Sequence, residues 1–144
     1  MNRLRLPGSS ISDSGMSHFW VPIQLAPRRG PRSQPLLALV DTGSTYTWIA
    51  SDLLEKFGVT PVEERPFLLA DGREALYRIG WVDIRLDGRD HPSIVVFAPP
   101  GSEPILGVVT LEVFGLAADP VNERLIRVPA RAKQVTLLKS LTLR

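Results

Sequence analysis

The chain has no cysteine among its 144 residues. That excludes a disulfide framework, a thiol nucleophile and a cysteine-ligated metal centre. Histidine is scarce: His18 and His91 are too far apart in sequence for paired metal-ligand spacing. No apolar run approaches the roughly 20 residues of a membrane-spanning helix. A strong excess of one charge is also lacking, since 17 Lys and Arg against 15 Asp and Glu leave +2. The sequence pI is about 9.4, yet the basic residues are spread out and gather mainly at the two ends. Composition therefore argues against a nucleic-acid partner. The start, Met-Asn-Arg-Leu-Arg-Leu-Pro, is positive but has no apolar segment behind it, so no secretory signal is expected. The default expectation is a cytoplasmic protein without a membrane anchor. A hydrophobic fraction of 44% fits one globular domain with a modest core.

Residues 1–16 are rich in Ser, Gly and Arg and show no period, which predicts a flexible N-terminal arm. Met16 is a candidate natural start. The domain is expected over 17–129 and a basic tail over 130–144. Phe19, Val21, Ile23 and Leu25 alternate with other residues, predicting a strand over 18–25, and Pro22 places it at an edge. Residues 27–35 carry three prolines and read as a loop. The apolar run 36–40 predicts a strand buried on both faces, and 47–50 a further short strand. Asp52 with Glu55 three residues on predicts a capped helix, which Gly58 ends. Asp71-Gly72 and Asp87-Gly88, each between apolar flanks, predict hairpins with primed two-residue turns. The segment 82–86 alternates and 94–98 is continuously apolar, so both predict strands. Residues 99–104 read as a loop, 105–115 as a segment ending in a short helix, and 116–118 with 124–128 as a last hairpin. Many short strands with one or two short helices predict a mainly β, closed barrel-like domain.

One stretch stands apart. Leu36-Leu-Ala-Leu-Val-Asp-Thr-Gly-Ser-Thr-Tyr-Thr-Trp48 drives five apolar residues into a single acid. Asp41 is thereby delivered onto a tight loop with Thr42, Gly43, Ser44 and Thr45. Glycine admits close backbone approach, and the hydroxyls can satisfy a partly buried carboxylate. Such an arrangement holds an acid rigidly, as catalysis requires. Read structurally, the same acid would simply cap a turn.

Asp41-Thr-Gly-Ser-Thr-Tyr-Thr-Trp-Ile49 resembles the active-site strand and loop of the pepsin-like and retropepsin-like aspartic proteases. Ile105-Leu-Gly107 resembles the segment that crosses behind that loop in the same family. Between them, Leu69-Ala-Asp-Gly-Arg-Glu74 lies where the family carries its substrate-covering flap. The likeness runs in order over about 18–128 and is nearest to the small single-domain prokaryotic members. It departs at the flap tip, which carries one glycine, Gly72, rather than several.

The resemblance implies a retropepsin-like half of an aspartic protease, needing neither metal nor cofactor. Asp41, Thr42 and Gly43 would be catalytic. Ser44, Ala70, Asp71, Gly72 and Arg73 would contact substrate, and Ile105, Leu106 and Gly107 would support the site. Two carboxylates are needed and the chain has one Asp-Thr-Gly, which implies a homodimer with its active site on the two-fold axis. Thr42 would bridge the two copies, and Ser44 would hydrogen-bond the outer oxygen of Asp41. A peptide or protein would lie across the dimer as an added strand. The alternative reading is a non-catalytic peptide-binding or dimerisation module that keeps the fold. A third pairs the chain with a different chain that carries its own Asp-Thr-Gly.

Overall fold

The alternation at the start of the chain builds the first strand, β1 (Phe19–Ala26), with Phe19, Ile23 and Leu25 turned into the core. The computed structural model describes residues 18–26 and 33–132. The 1–16 arm, Met16 and residues 133–144 of the basic tail lie outside the described residues; residues 129–132 carry neither helix nor strand. In chain order follow β2 (Gln34–Val40), β3 (Thr47–Ala50), α1 (Ser51–Lys56), β4 (Pro61–Leu68) and β5 (Glu74–Leu86). Then come β6 (Arg89–Ala98), β7 (Ile105–Leu106), α2 (Val108–Val113), β8 (Leu116–Asp119) and β9 (Arg124–Arg127). The protein is mainly β with two short helices among the described residues, as the sequence pattern predicts.

Seven strands make one sheet in the order β1-β2-β7-β3-β6-β5-β4, and a further β1–β5 pairing closes it into a barrel. Closure is made by the end of β1, where Gln24, Leu25 and Ala26 face Arg85, Ile84 and Asp83. Pro22 precedes this stretch and pairs only with β2, opposite Leu37, so its missing N–H interrupts none of the β5 pairing. The barrel interior holds Leu25, Ile49, Leu54, Ile84, Val95 and Leu106, each fully buried. A fully buried Leu or Ile contributes about 2 to 3 kcal/mol by leaving water. A second apolar cluster of Ile79, Ile94 and Val96 sits on the other face of β5 and β6, with Tyr46, Trp48, Phe67 and Tyr77 packed on it. The continuous apolar run 94–98 is explained by these two cores, one on each side of β6.

Three expectations are corrected. In β2, Ala38 and Val40 are buried, but Leu37 and Leu39 on the other face are partly exposed, so the strand is not buried on both sides. Asp52 does not cap α1. Strand β3 runs straight into the helix, Ala50 is the N-cap and no side chain caps it. Asp52 lies inside the first turn and accepts the Gly101 N–H at 3.3 Å. The hairpin at Asp71-Gly72 is wider than a two-residue turn. Its last pair is Leu68 with Glu74, and Leu69 N–H donates to the Arg73 carbonyl at 2.7 Å. Asp87-Gly88 does form the primed turn, with φ of 55° and 71°. Residues 61–68 also form a strand, despite Pro61 and Pro66; it is paired on one side, to β5, where proline is tolerated.

Candidate active site

Strand β2 delivers Asp41 at its end, and the backbone there is gripped from the neighbouring β7. Leu39 N–H donates to the Pro104 carbonyl at 2.9 Å, and Asp41 N–H donates to the Leu106 carbonyl at 3.1 Å. A tight turn follows, closed by Ser44 N–H on the Asp41 carbonyl at 3.1 Å. Within the turn, the Gly43 N–H donates to Asp41 Oδ1 at 2.9 Å. The carboxylate is therefore oriented by the backbone of its own loop, and its side chain stays 27% exposed. Thr42, Gly43 and Thr45 lie exposed beside it.

The loop rests on the Ile-Leu-Gly segment. Val108 N–H donates to the Ser44 carbonyl and Val109 N–H to the Thr45 carbonyl, both at 2.9 Å. The first turn of α2 thus satisfies the loop's carbonyls, and the loop satisfies amides that a helix leaves unpaired. Gly107 lies directly against the loop, and a Cβ there would sit 2.3 Å from the Tyr46 carbonyl oxygen. A glycine is required at this position by contact. Ser44 departs from expectation: its hydroxyl donates to the Tyr46 carbonyl at 2.7 Å, so its one proton serves the loop's own shape rather than Asp41.

The structure brings together Asp41, Thr42, Gly43, Ser44, Ile105, Leu106 and Gly107. The tip residues Ala70, Asp71, Gly72 and Arg73 are exposed and stand at the end of the β4–β5 hairpin. The hairpin is tied to the loop's exit by four half-buried aromatics. Trp48 meets Phe67 at 5.2 Å and Tyr77 at 4.8 Å between ring centroids, both edge to face, and Tyr46 meets Phe67 at 5.9 Å. Arg65 donates to the Tyr46 hydroxyl at 2.8 Å and to Glu63 at 2.9 Å. The hydrogen bond to Glu63 is the main reason that its guanidinium holds its proton more tightly than usual. At the tip, Asp71 accepts the Arg73 N–H at 3.0 Å and the Arg73 Nε–H at 2.6 Å. These two bonds, the backbone one first, hold the Asp71 carboxyl below its ordinary value.

His18, Thr47, Ser93 and Thr110 stand at the site, though the sequence reading gives them no role there. His18 places Nε2 3.8 Å from Asp41 Oδ1. The β1–β2 register signals this, because Phe19 opposite Val40 sets residue 18 beside residue 41. The other histidine, His91, is half-buried edge-on against Phe114. Thr47, Ser93 and Thr110 are fully buried beneath the loop. Buried hydroxyls in otherwise apolar segments were the available signal. Among the described residues, no group of three or more His, Asp or Glu converges as a metal site, and no helix is long and apolar enough to cross a membrane.

Comparison with known proteins gives the following. A family model described as "Aspartyl protease" matches residues 29–110, a span that includes the Asp41 loop, the hairpin and the Ile-Leu-Gly segment. Among curated protein sequences, none matches. Solved structures similar to this chain include the protease of simian foamy virus, at 17% identity over 65% of this chain and 91% of the other, with a TM-score of 0.49. The retroviral protease-like domain of Ddi1 from Leishmania major is 18% identical over 81% of this chain and 95% of its own, with a TM-score of 0.49. A retropepsin-like aspartic protease from Rickettsia conorii is 18% identical over 72% of this chain and 85% of its own, with a TM-score of 0.45.

Proposed function

The chain belongs to the aspartyl protease family, and from that premise we propose that it is an aspartic endopeptidase whose active site is assembled from two copies of Asp41. The observation that carries the reading is the seat of the Asp41 loop. One acid is oriented by the Gly43 amide and held from below by the Leu106 carbonyl and the Gly107 contact, while its outer side stays open. A lone carboxylate so placed does half of the chemistry. Two carboxylates about 3 Å apart cannot both ionise and so share one proton, the general behaviour of aspartic proteases. Their apparent acidities belong to the pair.

The roles then divide. The ionised member takes a proton from a water, whose oxygen attacks the scissile carbonyl carbon. The protonated member hydrogen-bonds the carbonyl oxygen and stabilises the charge that develops there. Collapse of the tetrahedral species breaks the C–N bond, the amine nitrogen receives a proton from the pair, and an acid and an amine leave.

A C2 homodimer supplies the second carboxylate with no further sequence. Thr42 is exposed next to Asp41, which supports a role in bridging the two loops. The substrate lies extended beneath the hairpin tips, along Ser44 and the Ala70, Asp71, Gly72 and Arg73 turn. The aromatic cluster of Tyr46, Trp48, Phe67 and Tyr77 favours peptides with apolar side chains at the neighbouring positions.

The test is Asp41→Asn. The amide oxygen can still accept the Gly43 N–H, so fold and assembly persist while hydrolysis of a peptide library falls by at least about a thousandfold. Hydrolysis retained in that variant refutes the reading. A wild-type protein that binds peptides without cleaving them identifies the non-catalytic module instead.

A further inference from the structure

Three hydroxyls with zero exposure lie beneath the Asp41 loop, one each from β3, β6 and α2: Thr47, Ser93 and Thr110. We propose that they form a one-way hydrogen-bond chain that positions the Asp41 loop, making Thr47, Thr110 and Ser93 positioning residues for hydrolysis. The inference rests on the catalytic reading of Asp41.

The direction follows from counting protons. Gly107 N–H donates to Thr47 Oγ1 at 3.0 Å, so Thr47 keeps its own proton to give. Its near neighbour is Thr110 Oγ1, at 2.5 Å. Thr110 in turn lies 2.8 Å from Ser93 Oγ, and Ser93 donates to the Ile94 carbonyl at 3.3 Å. With one proton per hydroxyl, the arrangement that satisfies every group runs Gly107 to Thr47 to Thr110 to Ser93 to Ile94. Reversing the middle links leaves the Thr47 proton unused in a dry core, which is costly. Hydrogen bonds running in one direction also polarise and strengthen one another.

The head of this chain is the Gly107 amide, and Gly107 lies so near the loop that a Cβ there would collide with the Tyr46 and Ser44 backbone. Thr47 leaves that loop, and Thr110 lies on the helix whose first amides hold the Ser44 and Thr45 carbonyls. The chain therefore joins both sides of the loop to the part of β6, Ser93–Ala98, that is buried on both faces. Paired carboxylates tolerate little misplacement, so a loop free to shift loses turnover before it loses substrate affinity.

The experiment compares Thr110→Val with Thr110→Ser in the full chain, and reads kcat, KM and the hydrogen exchange of the Gly107 amide. Thr110→Val is expected to lower kcat by roughly ten- to a hundredfold with KM little changed, and to speed exchange of the Gly107 amide. Thr110→Ser restores both. Ser93→Ala, which removes one terminal link, shows the same pattern more weakly and covers the case in which the valine variant does not fold. Wild-type kcat and exchange in Thr110→Val overturn the proposal. So does a loss carried by KM alone, or one that serine fails to relieve. The exchange measurement needs no activity: if the wild type fails to hydrolyse peptides, the catalytic reading falls while the Gly107 amide still decides whether the chain holds the loop.

Discussion

Replacing Gly107 by alanine adds a single methyl group where the Asp41 loop meets α2. The backbone at 107 has φ −95° and ψ 173°, open to any residue, so the cost is wholly one of contact. The new Cβ would lie 2.3 Å from the Tyr46 carbonyl oxygen, 2.4 Å from its carbon and 3.0 Å from the Ser44 carbonyl oxygen. All three are backbone atoms, so no side chain can rotate away, and the segments must part by roughly 1 Å to reach ordinary contact. Overpacking of this kind costs about 1 to 3 kcal/mol. Parting the segments also stretches the Gly107 bond to Thr47 and the Val108 bond to Ser44, each contributing about 1 kcal/mol. The sum, about 3 to 5 kcal/mol, is a large share of the roughly 5 to 15 kcal/mol that stabilises a domain. Thermal unfolding followed by circular dichroism should show Tm lowered by about 10 to 25 °C. Gly72→Ala is the control: nothing lies within 4 Å of its Cβ, and its φ of +86° costs only about 1 kcal/mol. A Gly107→Ala protein melting within a degree or two of the wild type would refute the reasoning.

Two further outcomes are expected. The Asp71 carboxyl is held below its ordinary 3.8 by the Arg73 amide and guanidinium, so its support of the hairpin tip is complete above pH 3.8 and is lost as pH falls through the lower folded value. The amide resonances of Gly72 and Arg73 should move in that acid window, and Asp71→Asn should abolish the response; an Arg73 amide indifferent to acid would sink the argument. Sedimentation velocity under the conditions of hydrolysis should give a species of twice the chain's 15.9 kDa, whereas active protein that sediments only as a monomer removes the two-fold site.

What could be read from sequence was local or patterned. The alternation of Phe19, Ile23 and Leu25 reflects a core on one face of β1. Asp87-Gly88 announced its turn because both residues need positive φ within a two-residue loop, a demand met inside the turn itself. Asp71-Gly72 has the same letters and makes a wider loop, since Asp71 bonds Arg73 and the strands stop pairing at Leu68 and Glu74. Asp52 looked like a cap, but its place in the helix depends on where β3 ends, which pairing with β6 decides.

The same division applies to the site. By itself, the sequence determined that an apolar strand ends in one acid on a Gly and hydroxyl loop, and that Ile-Leu-Gly lies further along, since these are properties of neighbouring residues. Only the tertiary structure decided what surrounds that acid. Barrel closure and strand register bring His18 to within 3.8 Å of Asp41, turn Ser44 toward Tyr46, and join Thr47 to Thr110 across 63 positions. Hydrogen bonds demand placement to within a few tenths of an ångström, and for segments that far apart in the chain such placement comes from packing the whole barrel.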